Sequence, residues 1–365
     1  MLILAKAALI DGFVQNDCYI KVDHGFISSI SNGVSEVADL TITGLLIPGF
    51  VDTHSHGGGG FSFSTESESG IHKVIATHRA HGTTTQFASL VTEPIDVLKA
   101  QIARLKPFVM RGELAGIHLE GPYLSHEKCG AHDPKLLRLP DLQEISELIA
   151  EGEGTIAMMT IAPELKGAIS AIELLVDSGV VAAIGHSTAS HEAALAAIEA
   201  GATVVTHFYN ALPAIDHREP TITSTGLLND ALTLELILDG HHVNAPAVEL
   251  MMKSAKNRTI LVTDAMSAAG GEDGDYLIGE LPVTVLQGVA RLQSNGSLAG
   301  STLTMASAFD RLISHHNFDI AAASNAASTL PAEVHGLLQV GEISVGKRAN
   351  FVELENSLFK AVHTF

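Results

Sequence analysis

Short apolar runs alternate with amphipathic stretches along most of this 365-residue chain. Eight runs that are apolar or rich in β-branched residues fall between residues 45 and 265, and most are separated by segments with apolar residues at three- and four-residue spacing. The runs are LLIPGFVDTH, GTTTQFASLV, LAGIHLE, TIAMMTIA, VVAAIGH, ATVVTHF, LTLELILDG and RTILVTDA. Strand–helix alternation repeated eight times is typical of a (β/α)8 barrel, although a doubly wound α/β sheet has a similar pattern.

The two ends of the chain have a different pattern. CYIKVDHGFISSI alternates around a His-Gly turn near the start, and the tail GEISVGKRANFVELENSLFKAVHTF returns to strand-like texture. We therefore predict a small β-sandwich domain built from residues 1–47 and 333–365, beside a barrel of residues 48–332. Late in the barrel, GELPVTVLQGVARLQSNGSLAG predicts a hairpin-like insertion, and STLTMASAFDRLI predicts the helix that follows it.

Polar side chains fall where the predicted barrel strands end. These residues are His54, His56, Glu120, His186, His207 and Asp264. Barrel enzymes build their active sites at the carboxyl ends of the strands, so this placement favours the barrel over the doubly wound sheet. It also predicts that the six side chains converge on one spot.

The stretch GFVDTHSHGGGG carries two histidines one residue apart, His54 and His56. Residues i and i+2 of a strand point to the same side, so both imidazoles can reach one ion. The structural alternative is a strand that simply ends in a glycine loop, Gly57–Gly60. Imidazole and carboxylate ligands suit zinc or iron better than magnesium or calcium, and the predicted set can hold one or two ions. Glu120 is the acid placed to bridge two of them.

Asp264, in ILVTDAM, has two interpretations. It can be a helix N-cap or a turn former. In a metal hydrolase it would accept the proton of the attacking water and pass it to the leaving nitrogen. Because the other strand ends carry candidate ligands, the catalytic interpretation is favoured.

Composition restricts the class of partner. The formal net charge is −20, which repels nucleic acid and anionic membranes in general, so an anionic ligand must be held by a local cluster. No apolar stretch approaches the ~20 residues of a transmembrane helix, and MLILAKAALIDGF lacks a convincing signal-peptide cleavage site. Two distant cysteines, Cys18 and Cys129, make no disulfide framework. We expect a soluble cytoplasmic protein.

Nine motifs between residues 48 and 305 resemble the amidohydrolase superfamily and, within it, the N-acetylglucosamine-6-phosphate deacetylases. They are PGFVDTHSHGGGG, GIHLEGPYLS, KCGAHDP, TIAPE, GHSTA, THFYNALPAIDHREP, DGHHV, LVTDAM and LAGSTLTM. The combination of HLEGP, THFYNA and LVTDA is specific to these deacetylases. The resemblance implies metal-dependent hydrolysis of the acetyl group of N-acetylglucosamine 6-phosphate, giving glucosamine 6-phosphate and acetate, by a homodimer.

Carried over position by position, the resemblance assigns roles to individual residues. It implies metal ligation by Glu120, His186 and His207, a second metal site completed by His54 and His56, and Asp264 as the catalytic acid/base. Residues that match contacts to the sugar phosphate are Cys129, His132, Asn210, Ala211, Arg218, His242, Leu298, Ala299 and Gly300. Either His132 or His242 would steady the carbonyl oxygen or the sugar.

Two other functions compete with this interpretation. A different amide hydrolase on the same scaffold, such as a dihydroorotase or an aminoacylase, often uses a modified lysine as the metal bridge, and no lysine lies at a candidate strand end here. A non-catalytic barrel scaffold would have no need for converging polar side chains whose burial costs free energy. His118, two residues before Glu120, is expected to support the ligands and not to bind metal.

Overall fold

The computed structural model describes residues 1–33, 37–65 and 67–365. Its strands are β1 (Leu2–Ile10), β2 (Phe13–Asp23), β3 (Phe26–Asn32), β4 (Leu40–Pro48), β5 (Phe50–Asp52), β6 (Gly57–Gly58), β7 (Phe61–Ser62), β8 (Thr83–Leu90), β9 (Gly116–Glu120), β10 (Ile156–Ile161), β11 (Val181–Ile184), β12 (Val204–Val205), β13 (Thr233–Ile237), β14 (Thr259–Val262), β15 (Gly274–Ile278), β16 (Leu281–Leu286), β17 (Val289–Leu292), β18 (Asn350–Glu355) and β19 (Leu358–Thr364). Its α-helices are α1 (Glu68–Ala80), α2 (Ile95–Met110), α3 (Leu142–Gly152), α4 (Ala168–Asp177), α5 (His191–Glu199), α6 (Ile222–Leu228), α7 (Ala245–Ala255), α8 (Met305–His316), α9 (Ile320–Ser324) and α10 (Leu330–Val334). Within these described ranges, no helix combines the length and the apolar character that crossing a membrane requires.

Eight strands form the barrel sheet in the order β5-β8-β9-β10-β11-β12-β13-β14. The pairs from β8 to β14 are parallel, and the helices α1 to α7 occupy the successive connections between barrel strands. Strands β9, β13 and β14 are buried along their whole length, which explains why they read as continuous apolar runs. The predicted (β/α)8 class is confirmed.

The first apolar run of the sequence is divided between two sheets. Its leading residues end β4, which pairs with β1 and β18, and the barrel strand β5 begins only at Phe50. Pro48 has no N–H to donate to a ladder, and a Cβ at Gly49 would come within 2.3 Å of Thr84 Oγ1. The chain therefore changes sheet at this Pro-Gly pair.

The chain ends form a separate sheet of six strands in the order β19-β18-β4-β1-β2-β3. Its β1–β4 pair is parallel and its other pairs are antiparallel. Its buried core includes Ile3, Cys18, Ile20, Leu46 and Phe351. The predicted β unit built from both chain ends is confirmed, and its strands form a single six-stranded sheet where a β-sandwich was expected.

Contacts divide the described chain into two compact units. One comprises Met1–Asp52, His78–Thr85 and Thr304–Phe365; the other comprises Thr53–Thr77 and Gln86–Leu303. The domain limits at residues 48 and 332 stay a prediction.

The predicted hairpin is the antiparallel pair β16–β17, and β15, which precedes the predicted segment, pairs with β16 to make a three-stranded sheet. The Asn-Gly turn after β17 is closed by a 2.9 Å hydrogen bond from Leu292 N to Ser297 O. This sheet packs on a buried cluster that includes Met266, Ile278 and Ala299, so it positions the loop Leu298–Gly300. The predicted helix follows as α8, whose first turn is capped by Thr304.

Candidate metal centre and active site

The residues predicted at the strand ends converge in the structure. His54 and His56 follow β5, and Glu120 is the last residue of β9. His186, His207 and Asp264 each lie two residues beyond their strands and have φ values of 46°, 29° and 47°. A left-handed conformation is uncommon for residues other than glycine, and three such residues at equivalent strand ends turn the backbone sharply at this edge of the barrel.

The carboxylate of Glu120 lies between two groups of imidazoles. Its Oε1 is 3.1 Å from His186 Nε2 and 3.0 Å from His207 Nε2. Its Oε2 is 3.2 Å from His56 Nε2 and 3.4 Å from His132 Nε2. One carboxylate therefore faces donor atoms from both sides, the arrangement that a bridging ligand requires.

Three of the imidazoles are oriented by hydrogen bonds on their outer nitrogens. Nδ1 of His54 lies 2.9 Å from Glu235 Oε2, and Nδ1 of His56 lies 3.2 Å from the carbonyl oxygen of Ser89. Nδ1 of His186 donates to the carbonyl oxygen of Lys128 at 2.7 Å. Because Nδ1 is engaged in each contact, Nε2 is the ring nitrogen that faces the centre and is available to a metal.

The spacing of the inner nitrogens fits a metal ion. His54 Nε2 and His56 Nε2 are 3.1 Å apart, and His186 Nε2 and His207 Nε2 are 2.9 Å apart. Ligand atoms about 2.0–2.1 Å from a tetrahedral ion lie roughly 3.3 Å from each other. The His/Glu cluster therefore has the donor types and the geometry of a divalent metal site.

His132 has a different hydrogen-bond pattern from the other histidines. Its Nδ1 accepts a 3.2 Å hydrogen bond from the backbone N–H of Thr92, so the proton of the neutral ring lies on Nε2. Although His132 Nε2 lies within 4.8 Å of ligand atoms of Glu120 and His186, a protonated nitrogen cannot bind a metal. His132 is placed as a hydrogen-bond donor at the edge of the centre.

Electrostatics keep the two acids of the centre ionised. Burial raises the pKa of Asp264, but His54 and His56 outweigh it and hold that pKa at about 2. Burial likewise opposes ionisation of Glu120, and the imidazoles around it, His54 first, lower its pKa well below the usual range. Burial lowers the pKa of His186 to about 4, which favours the neutral imidazole that a metal binds.

Asp264 is close to the second histidine pair. Its Oδ1 lies 3.4 Å from His54 Nε2 and 3.3 Å from His56 Nε2. The side chain reaches a cavity of about 290 Å³, at the lower end of the usual size of small-molecule sites. An ionised carboxylate beside the candidate ligands, and open to this cavity, can accept a proton from a bound reactant.

The cavity gathers most of the predicted substrate-binding residues. Those that line it are His132, Asn210, Ala211, His242, Leu298 and Gly300. Ala299 is fully buried behind them. Neither Cys129, which is half-buried, nor Arg218, which is exposed, belongs to the described lining. Contact between those two residues and a substrate stays a prediction.

His242 is oriented by an acid that sequence reasoning missed. Asp239 Oδ2 accepts a 2.6 Å hydrogen bond from His242 Nδ1, and its Oδ1 accepts from the backbone N–H of His242 at 2.9 Å. In the neutral ring this contact leaves the acceptor lone pair on Nε2.

Three further residues near the centre were missed at the sequence level. Glu235 is fully buried in β13, and its signal was a single acid inside the apolar run LTLELILDG. Glu127 and Lys128 line the cavity, and no pattern in the sequence marked that short loop as part of its wall. His118, in contrast, supports the site as expected: Ser89 Oγ lies 2.9 Å from its Nδ1, Thr160 Oγ1 lies 2.8 Å from its Nε2, and its ring packs edge-on against His54.

Comparison with known proteins identifies the family. The sequence model described as the amidohydrolase family matches residues 45–362. The chain is 36% identical over 349 residues to N-acetylgalactosamine-6-phosphate deacetylase of Escherichia coli O157:H7, a match that covers 94% of this chain and 92% of the relative. It is 35% identical to N-acetylglucosamine-6-phosphate deacetylase of Vibrio furnissii, with 94% and 88% covered.

A solved structure is also similar to this chain. A mutant N-acetyl-D-glucosamine-6-phosphate deacetylase from Mycobacterium smegmatis, in complex with N-acetyl-D-glucosamine-6-phosphate, is 39% identical and superposes with a TM-score of 0.95. The match covers 100% of this chain and 97% of that one. The fold, the converging ligand set and these similarities agree, and the chain belongs to the amidohydrolase family.

Proposed function

We propose that the protein is a metal-dependent deacetylase that hydrolyses the N-acetyl group of N-acetylglucosamine 6-phosphate to glucosamine 6-phosphate and acetate. The observation that carries the proposal is the position of Asp264, an ionised acid 3.3 Å from His56 Nε2 and in the wall of the cavity. Relatives and solved structures with this name support the choice of substrate. A lysine-bridged amide hydrolase is not favoured, because the side chain that lies between the two groups of imidazoles is a carboxylate, Glu120.

The cofactor is proposed to be zinc or iron, with one or two ions per chain. Glu120, His186 and His207 would hold one ion, and His54 and His56 would hold a second beside Glu120. A bound divalent ion supplies polarisation of the amide carbonyl and makes water a stronger acid. The donor set supports this choice because neutral imidazoles with a carboxylate are typical ligands of these metals.

Asp264 is proposed to move the proton of the reaction. An aspartate ordinarily has a pKa of about 3.9, so the carboxylate of Asp264 is ionised at neutral pH and can accept a proton from the attacking water. The same carboxyl group then returns that proton to the leaving nitrogen as the C–N bond breaks, and the amine separates from acetic acid, which loses its remaining proton to give acetate.

Two histidines that line the cavity, His132 and His242, are proposed to bind different groups of the substrate. His132 presents Nε2–H, so it is the donor that would bind the acetyl carbonyl oxygen as negative charge develops there. His242 presents an Nε2 acceptor, because Asp239 holds its Nδ1–H, and it would accept from a sugar hydroxyl. The two roles differ because Thr92 donates a hydrogen bond to Nδ1 of His132, whereas Asp239 accepts one from Nδ1 of His242.

Phosphate recognition is proposed to rest on the loop that follows His207. Asn210 and Ala211 line the cavity, and Arg218 lies farther along the same loop. A guanidinium can bind phosphate through two parallel hydrogen bonds. Cys129 and the loop Leu298–Gly300 would complete the contacts to the sugar phosphate.

We further propose a homodimer located in the cytoplasm. The acidic composition and the two free thiols, Cys18 and Cys129, support an intracellular site. The dimer follows from family resemblance.

The proposal is tested by acetate release from four compounds with metal-reconstituted protein. N-acetylglucosamine 6-phosphate should be the preferred substrate over N-acetylgalactosamine 6-phosphate, N-acetylglucosamine and an N-acetylated amino acid. Including the galacto epimer is necessary because one relative is named for that sugar. Equal activity after chelation of the metal, or a preference for the amino acid, would contradict the proposed function.

A further inference from the structure

Glu235 is a fully buried acid without a part in the proposed reaction. It lies in the middle of β13, where all five residues are buried. Its Oε2 accepts from His54 Nδ1 at 2.9 Å and from the backbone N–H of His207 at 3.1 Å. Its Oε1 is buried and has no hydrogen-bond partner among the described residues.

Glu235 contacts the outer edge of the His54 ring. The opposite nitrogen of that ring, Nε2, faces His56 Nε2 at 3.1 Å, Asp264 Oδ1 at 3.4 Å and Glu120 Oε1 at 3.7 Å. An ion bound at Nε2 would therefore have the imidazole between itself and Glu235. This geometry makes Glu235 a partner of a ligand and not a ligand.

Apart from His54, the carboxylate of Glu235 has no cationic partner in the described part of the chain. Its ion pair is with His54, and a buried carboxylate is costly unless charge of the opposite sign lies nearby. A glutamine or a threonine could orient an imidazole without that penalty. The presence of a carboxylate is explained if a cation binds on the far side of the His54 ring.

We propose that Glu235 is a positioning residue that fixes the tautomer of His54 and strengthens metal binding at the His54–His56 pair. Its carboxylate holds the proton on Nδ1 of His54, so the Nε2 lone pair is directed toward the centre. The negative charge also makes the imidazole a stronger ligand for the metal. Partners of this kind are worth about 10–100-fold in metal affinity. The inference rests on the proposed metal-dependent function.

The test is the Glu235→Gln variant of the full-length protein, with zinc affinity measured by competition with a chromophoric chelator. Glutamine keeps the volume and can still accept from His54 Nδ1, but it removes the charge. The dissociation constant for the ion at the His54–His56 pair should rise by about 10–100-fold. Glu353→Gln, the same change at a buried acid of the chain-end sheet, is the matched control and should leave zinc affinity unchanged.

A second background shows whether Glu235 acts through His54. A His54→Ala protein should keep only the ion at Glu120, His186 and His207, and adding Glu235→Gln should leave the affinity for that ion unchanged, because the ring that transmits the effect is gone. Unchanged zinc affinity in the single variant overturns the proposal. So does a loss of the same size in both backgrounds, which would indicate a structural role.

Nitrogen NMR of the zinc-loaded wild-type protein, labelled with ¹⁵N-histidine, keeps the proposal testable if a variant fails to fold. His54 should be protonated at Nδ1 and unprotonated at Nε2, and the opposite tautomer overturns the proposal. Neither measurement uses the deacetylation reaction. A protein that binds zinc as expected but releases no acetate would contradict the proposed function alone.

Discussion

The backbone N–H of Asp264 donates a 2.8 Å hydrogen bond to the carbonyl oxygen of His54. The two residues lie just beyond β14 and β5, the last and the first strands of the barrel, and the backbone N–H of His56 donates to Ala265 O at 2.8 Å in the same ladder. These bonds connect the segments that follow the first and the last strands of the parallel sheet. They also fix the proposed proton acceptor beside the histidine pair, so the same backbone contacts connect these two strands and hold two parts of the site together.

The first prediction concerns metal content. His186→Ala or His207→Ala should remove the tightest ion, because each takes away one of the imidazoles in contact with Glu120 Oε1. His54→Ala or His56→Ala should spare that ion and lower the total to about one per chain. Elemental analysis after gel filtration measures the stoichiometry. Wild-type content in the His186→Ala protein, or full activity of metal-free wild type, would contradict the assignment.

The second prediction concerns Asp264→Asn. Asparagine tolerates the positive φ of 47° at this position and keeps the backbone bond to His54, but its amide cannot accept a proton. We therefore expect kcat to fall by roughly 10²–10⁴, with the ion at Glu120, His186 and His207 retained. Steady-state kinetics and metal analysis on the same preparation measure both quantities. A near wild-type kcat would return Asp264 to the role of a turn former.

The convergence of the site was predictable because it follows from topology. Once strands alternate with helices eight times, the carboxyl ends of all strands meet at one face, and polar residues at those ends must lie together. The positions of His54, Glu120 and His186 needed no more than that.

Other features depended on geometry that periodicity does not encode. Glu235 reaches His54 from 181 positions away in sequence, and only the register of β13 shows that its side chain points toward the outer edge of that ring. The tautomer of His132 depends on a contact with the backbone of Thr92. Arg218 and Cys129 lie in irregular segments, where family resemblance gives residue type but not the path of the chain.

The third prediction concerns stability and pH in the chain-end sheet. Burial raises the pKa of Glu353, but His363, Lys360 and the backbone N–H of Gly44 outweigh it, so the folded-state pKa is lowered. Its Oε2 lies 3.0 Å from His363 Nε2 and its Oε1 3.1 Å from Lys360 Nζ. Because the folded pKa is below the unfolded value, the ionised form stabilises the fold above the unfolded pKa of about 4.3. That contribution is lost as pH falls through the folded pKa.

Glu353→Gln should therefore lower the free energy of unfolding by about 1–2 kcal/mol at pH 7, and by less at acidic pH. Urea unfolding of both proteins at pH 7 and near pH 3 measures the difference. Glu355→Gln is the control, since that exposed acid pairs with the same Lys360 at 3.1 Å and should cost below about 0.5 kcal/mol. An equal destabilisation by Glu353→Gln at both pH values would show that packing and not charge is responsible.

The last prediction concerns phosphate and compares two cations. Arg218 is exposed in the loop after His207, its backbone N–H bonds to Asp216 Oδ1 at 2.7 Å, and its guanidinium makes no ion pair with the described residues. Lys128 lines the cavity and is likewise without an ion pair in the described chain. In a protein of net charge −20, a phosphate needs such a local cation to overcome an unfavourable background field.

We expect Arg218→Ala to raise KM for N-acetylglucosamine 6-phosphate by roughly 10–100-fold, about 1.4–2.7 kcal/mol, the loss of a charge-assisted contact. Turnover of unphosphorylated N-acetylglucosamine should scarcely change, because that substrate never made the contact. Lys128→Met keeps the apolar stem and the backbone carbonyl that accepts from His186, so it removes the second cation alone. If Lys128→Met produces the phosphate-specific rise in KM and Arg218→Ala does not, the cation of the cavity wall binds the phosphate. If Arg218→Ala impairs both substrates equally, Arg218 supports the loop and has no specific role in phosphate recognition.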